Sequence, residues 1–210
     1  MRINGWIAGL AVVVATPAGA HEIWVERDAT GPARIYLGEP AEAVPAQGDP
    51  EFPKLVKPVV VGDAKAALTR RANHIEAAVA GAGDVRVQDD SVFAPWKQEG
   101  KAKGAIFYAR AGRAETRGAL DLEFVPVAAN ADRFTLLFRG KPVPDSSVTV
   151  ISPDKWQKSF KTDASGQIEI ASLGAGRYLI GAAHEEVAAG KVAGQPVDGV
   201  AHITTLTFVR

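Results

Sequence analysis

"RFTLLFRGKPVPDSSVTVIS", from Arg133 to Ser152, decides the fold class. Phe134 and Leu136, then Val148 and Val150, recur at every second position, the period of a half-buried strand. Gly140-Lys141-Pro142 separates the two runs as a turn. Working outward, the same alternation, bounded by Gly, Pro, Asn or Asp, returns in EIWVE (22–26), ARIYLG (33–38), DVRVQ (84–88) and GAIFYARA (104–111). It returns again in LDLEFVPV (120–127), QIEIASL (167–173), GRYLIGAA (176–183) and HITTLTFV (202–209). In FKTDASGQIEI, Thr162, Asp163, Ser165 and Gly166 have the composition of a tight turn between strands. The expectation is an all-β chain built as two β-sandwich parts.

Two segments break the rhythm. GDAKAALTRRANHIEAAVAGAG (62–83) is alanine-rich and fits a helical face, yet it also reads as two strands around Asn73. The strand reading is adopted. Glu39 to Pro58 holds five prolines and no period, which predicts a long surface excursion. A division into domains is placed at PVAANAD (126–132): a β-rich part over 21–127 and an immunoglobulin-like or transthyretin-like sandwich over 128–210.

Residues 1–20 carry Arg2, the apolar run WIAGLAVVVA (6–15), Pro17 and an Ala18-Gly19-Ala20 end, the layout of a cleaved signal peptide. The apolar run is too short for a membrane span, and no other segment approaches one. Export to the periplasm is therefore expected. The chain has no cysteine, so its sandwich must stand on apolar packing alone. Lysine plus arginine equals aspartate plus glutamate at 24 each, without long runs of either sign, which argues against a nucleic-acid partner.

Cleavage behind Ala20 would make His21 the first residue, with a free amine beside its imidazole. That amine and Nδ1 can grip one cation together in a six-membered chelate ring, the core of a histidine brace. Nitrogen-rich sets favour copper(II) or nickel(II) over magnesium or calcium. The α-amine has a pKa of about 7.7–8.0, so a metal displaces its proton readily near neutral pH. Three other histidines exist. His184 closes GRYLIGAA and His202 opens the last strand, so antiparallel pairing brings both to one end of the sandwich. His74 lies in the ambiguous segment. Glu22, Glu185, Glu186 and Asp198 are candidates for fixing imidazole tautomers. Trp24 shares a face with Glu22 and Glu26 and is expected in the core or at the seam between the two parts.

The series HEIWVE (21–26), LDLEFVPV, LLFRGKPVPDSSVTV (136–150), KTDASGQIEI (161–170), GRYLIGAAHEE (176–186) and AHITTLTF (201–208) resembles the NikM-like family of bacterial periplasmic proteins. The likeness is weakest over 39–104. The chain also departs from it by having PVAANAD where the family carries a longer Pro-Gly-Asp segment. The resemblance implies an accessory component of nickel, cobalt or other transition-metal uptake. It also implies His21, His184 and His202 as one metal site, which periodicity alone does not supply, and an envelope metal transporter as partner.

No G-x-S-x-G elbow, phosphate-cradling loop or HExxH helix is present, so a binding protein rather than an enzyme is expected. Two alternatives stay open. One is a copper oxygenase, since such enzymes also use histidine braces; the other is a carbohydrate-binding or adhesion sandwich whose histidines are incidental.

Overall fold

The computed structural model describes residues 21–170 and 174–210, so the expected leader over 1–20 lies outside the described residues. The first half contributes β1 (Glu22–Glu26), β2 (Ala33–Gly38), β3 (Val59–Val60), β4 (Leu68–Arg70), β5 (Ile75–Ala77), β6 (Val85–Asp89), β7 (Trp96–Gln98) and β8 (Lys101–Ala111). The second contributes β9 (Leu122–Pro126), β10 (Arg133–Phe138), β11 (Lys141–Pro142), β12 (Ser147–Ile151), β13 (Gln157–Lys161) and β14 (Gln167–Glu169). The last four are β15 (Arg177–Glu186), β16 (Gly190–Val192), β17 (Gln195–Val197) and β18 (Gly199–Val209). One short 3-10 turn, Phe52–Lys54, is the only helical element among the described residues. None of the described helical structure is long and apolar enough to cross a membrane.

The strands form three layers. The central sheet runs β13-β12-β15-β18-β8-β6-β3, with β7 also on β8. Against one of its faces lies the sheet β1-β2-β5-β4, and against the other lie β9, β10, β11 and β14. Ile23, Val25, Ile35 and Ile75 meet Val87, Phe107 and Ala109 in the first core. Phe124, Phe134 and Leu136 meet Val150, Ile180, Leu206 and Phe208 in the second. Burial of each such side chain stabilises the fold by about 1.5–3 kcal/mol before entropy is counted. The all-β expectation is met. So is the strand reading of 62–83: β4 and β5 pair antiparallel, Leu68 opposite Ala77, and Arg71 N–H donates to the His74 carbonyl across the turn.

The central sheet joins the two halves of the chain. β8 and β18 run parallel, in register from Lys103 with Gly199 to Ala111 with Thr207. PVAANAD (126–132) turns within a single hairpin, since β9 and β10 pair from Phe134 opposite Pro126 to Phe138 opposite Leu122. The chain passes from one core to the other earlier, over 112–121.

That passage is held by buried charge. Glu123 is fully buried; its Oε1 accepts from Arg86 Nε at 2.6 Å and from Arg110 Nη1 at 2.8 Å. Its Oε2 accepts the backbone N–H groups of Ala119 and Leu120. Arg110 also binds the Asp84 carboxylate, and Arg86 binds Glu115 Oε2 and the Arg117 carbonyl. Thus β6, β8, β9 and the passage share one hydrogen-bonded cluster. Removing one partner from such a cluster strands the others without solvent. Glu123→Ala is expected to lower the unfolding free energy by about 3–5 kcal/mol. In urea denaturation the wild type should lose both cores in one transition; two separate transitions would contradict the shared-sheet account.

Candidate functional site

His21 sits where the β1–β2 hairpin opens. Glu22 is opposite Gly38 and Trp24 is opposite Tyr36. Trp24 and Tyr36 stack with ring centroids 5.1 Å apart, and Trp24 packs on Ile151 and Leu179, which places it at the seam between the two halves.

The proline-rich excursion comes back to this hairpin. Gly48 N–H donates to the Pro45 carbonyl and Phe52 N–H to the Asp49 carbonyl, so two successive turns present the Asp49 carboxylate. That carboxylate lies over Gly38, where a Cβ would stand 3.1 Å from both Asp49 Cβ and Oδ2. Glycine there is what allows the close approach. Asp49 Oδ1 accepts the Glu51 N–H at 2.7 Å and stands 3.1 Å from His21 Nε2. A carboxylate beside Nε2 favours the tautomer with its proton there, which leaves the Nδ1 lone pair free. Nδ1 is the nitrogen that a chelate with the α-amine needs. A carboxylate behind a ligating imidazole is the usual arrangement at metal sites. The residues at His21 fit that half of the expected set.

Glu22 points the other way, onto the central sheet. A Cβ on Gly181 would lie 3.3 Å from each carboxylate oxygen, and burial pushes the Glu22 carboxyl up from 4.5 to about 7.

His184 and His202 do come together, as direct partners across β15 and β18. Phe138 packs against both, at 4.3 and 4.9 Å between ring centroids. His202 is committed on both nitrogens: Nε2 lies 3.2 Å from Glu186 Oε2 and Nδ1 lies 3.0 Å from Tyr108 Oη. Glu186 is held as a carboxylate by the Arg139 guanidinium, which keeps its carboxyl below the usual range. A carboxylate only accepts, so Nε2 donates, Nδ1 accepts, and Tyr108 O–H donates to it. Burial lowers the His202 pKa, in keeping with a neutral ring.

The central sheet separates this pair from His21. Thr205 and Thr207 donate their hydroxyls to the carbonyls of Ile23 and Val25, so β1 crosses the face of β18 on which those threonines stand. His202 alternates with them and faces the other core with Leu206 and Phe208. The three expected ligands therefore do not form one site in this structure. His74 lies in the β4–β5 turn that binds the same excursion through Asn73 and the Pro45 carbonyl, with Nδ1 2.7 Å from Asn73 Oδ1 and its ring against Tyr36. Its buried Nε2 stands 3.6 Å from Glu76 Oε1 without a hydrogen bond among the described residues. No three His, Asp or Glu side chains among the described residues converge in a metal-holding geometry. Sequence reasoning did not single out Asp49, Tyr108 or Arg139. Only Asp49 carried a signal, as an aspartate between glycine and proline in an otherwise featureless loop.

Because the folded Glu22 carboxyl is raised above its ordinary value, its contribution to stability is complete below about 4.5 and is lost as pH rises through about 7. Glu22→Gln is expected to raise the melting temperature at pH 8 and to leave it unchanged at pH 4.5. Equal melting-temperature differences at the two pH values would contradict the buried-carboxyl assignment.

No family model matches the chain, and the search of curated proteins finds no match. Among solved structures, a protein of the Bacteroides ovatus mixed-linkage glucan utilization locus, SGBP-B in complex with mixed-linkage heptasaccharide, is found at 7% identity and a TM-score of 0.17. The alignment covers 86% of this chain and 54% of that one, so the chain spans about half the length of that structure. At that TM-score the likeness carries no argument about fold or function. The NikM-like resemblance rests on the sequence stretches themselves.

Proposed function

We propose that this chain is an exported, periplasmic transition-metal-binding protein, serving uptake or handling of nickel, cobalt or copper and delivering to an envelope transporter, with its site at His21. Once the chain is cut behind Ala20, the His21 amine and Nδ1 form the chelate, while Asp49 orients the imidazole from Nε2. The observation that carries this reading is the 3.1 Å approach of Asp49 Oδ1 to His21 Nε2, made by a loop that Phe52 and Leu55 anchor in the first core. The reading keeps His21 from the expected three-histidine set and gives His184 and His202 a structural role, because both nitrogens of His202 are already engaged. The ion is cargo: the site holds and releases it.

Calorimetric titration with nickel, cobalt and copper tests this on protein beginning at His21. Asp49→Asn is expected to weaken binding by about 10–100-fold, the usual effect of removing a carboxylate behind a ligating histidine. One extra residue ahead of His21 should weaken it further by abolishing the chelate, while His184→Ala should leave it unchanged. Equal affinity for the native and extended forms would overturn the proposal.

A further inference from the structure

On the far side of the excursion that supplies Asp49, a groove of about 480 Å³ opens between residues 47–56 and β4. Its size falls within the range of small-molecule sites, about 300–1,000 Å³. Pro53 and Val56 give it an apolar wall, Val56 being 61% exposed, and Arg70 and Arg71 line the opposite side.

The two arginines differ. Arg71 is neutralised by Glu76, whose Oε2 takes both its Nε and its Nη2. Arg70 has no ion-pair partner among the described residues. It is held by neutral groups only: Nη1 donates to the Leu55 carbonyl at 2.6 Å, Nη2 donates to the Phe52 carbonyl at 2.9 Å, and the guanidinium stacks 4.3 Å over the Phe52 ring. A guanidinium has five N–H donors, and these two bonds leave three uncommitted. The group is thus fixed in place with its charge uncompensated, at the edge of an exposed apolar wall. Fixing an arginine beforehand removes much of the entropy lost when it binds, and a carboxylate is the group its fork matches.

We infer that this groove binds a small carboxylic acid with an apolar body, its carboxylate on Arg70 and its apolar part against Pro53 and Val56. The inference is independent of the metal reading, since neither His21 nor Asp49 lines the groove.

The test is an amide-resolved NMR titration of the protein with hexanoate, beside acetate, which lacks the apolar body, and hexan-1-ol, which lacks the charge. Hexanoate is expected to give saturable shifts at Val56, Arg70 and Ala72, with acetate and hexan-1-ol each binding more weakly. Arg70→Gln should weaken hexanoate about tenfold, the effect of losing a hydrogen bond to a charged group. Val56→Asp, at an exposed position where folding is not at stake, should abolish saturation while leaving the metal titration unchanged. The inference is overturned if hexanoate does not saturate, if hexan-1-ol binds equally well, or if both variants behave as the wild type. It is also overturned if sedimentation shows that a second copy of the chain occupies the groove, or if only a peptide with a free terminal carboxylate binds there.

Discussion

A single carboxylate, that of Glu123, decides how the two halves of this molecule meet. It is shut away from solvent among Arg86, Arg110 and the backbone N–H groups of Ala119 and Leu120, donors drawn from three pieces of chain. A buried charge is tolerated only when it finds donors, and here they come from two strands of the central sheet and from the passage between the cores. The geometry of β6, β8 and β9 is consequently fixed by one electrostatic requirement in addition to apolar packing. Neither half can shift against the other without stranding an ion.

The layering also decides what the histidines can do. β1 lies on the opposite side of the central sheet from Phe138, and so does the residue ahead of it. The threonine hydroxyls that anchor β1 alternate along β18 with the very position that carries His202. The alternation that makes the sheet therefore keeps His21 apart from the other pair. On the far face, Tyr108, His202, Glu186 and Arg139 form a donor-to-acceptor chain in which each member has a partner. Such a chain stiffens the end of the sandwich and leaves His202 without a free lone pair.

Much of the fold was legible in the sequence because strand alternation is local. Phe134, Leu136, Val148 and Val150 announce their strands through their immediate neighbours, and Asn73 marks its own turn. The pairing of His184 with His202 followed from the same rule, since a loop that folds back returns its flanks to one another. The domain division was not legible. PVAANAD has the composition of a spacer, and composition does not distinguish a linker from a hairpin loop. The parallel partnership of β8 and β18 is set by contacts far apart in sequence. Asp49 stayed hidden for a similar reason: a carboxylate in a proline-rich loop looks solvated until tertiary packing carries it to Gly38.

The parallel alignment of β8 with β18 bears on when this protein can become folded. A strand finished at Ala111 waits for a neighbour that starts only at Gly199, and two hydrophobic cores depend on that marriage. During synthesis, the leading half is left with an open hydrogen-bonding border and a half-covered apolar surface. Such long-range closure is slow, and until the last strand arrives the leading half holds no completed central sheet.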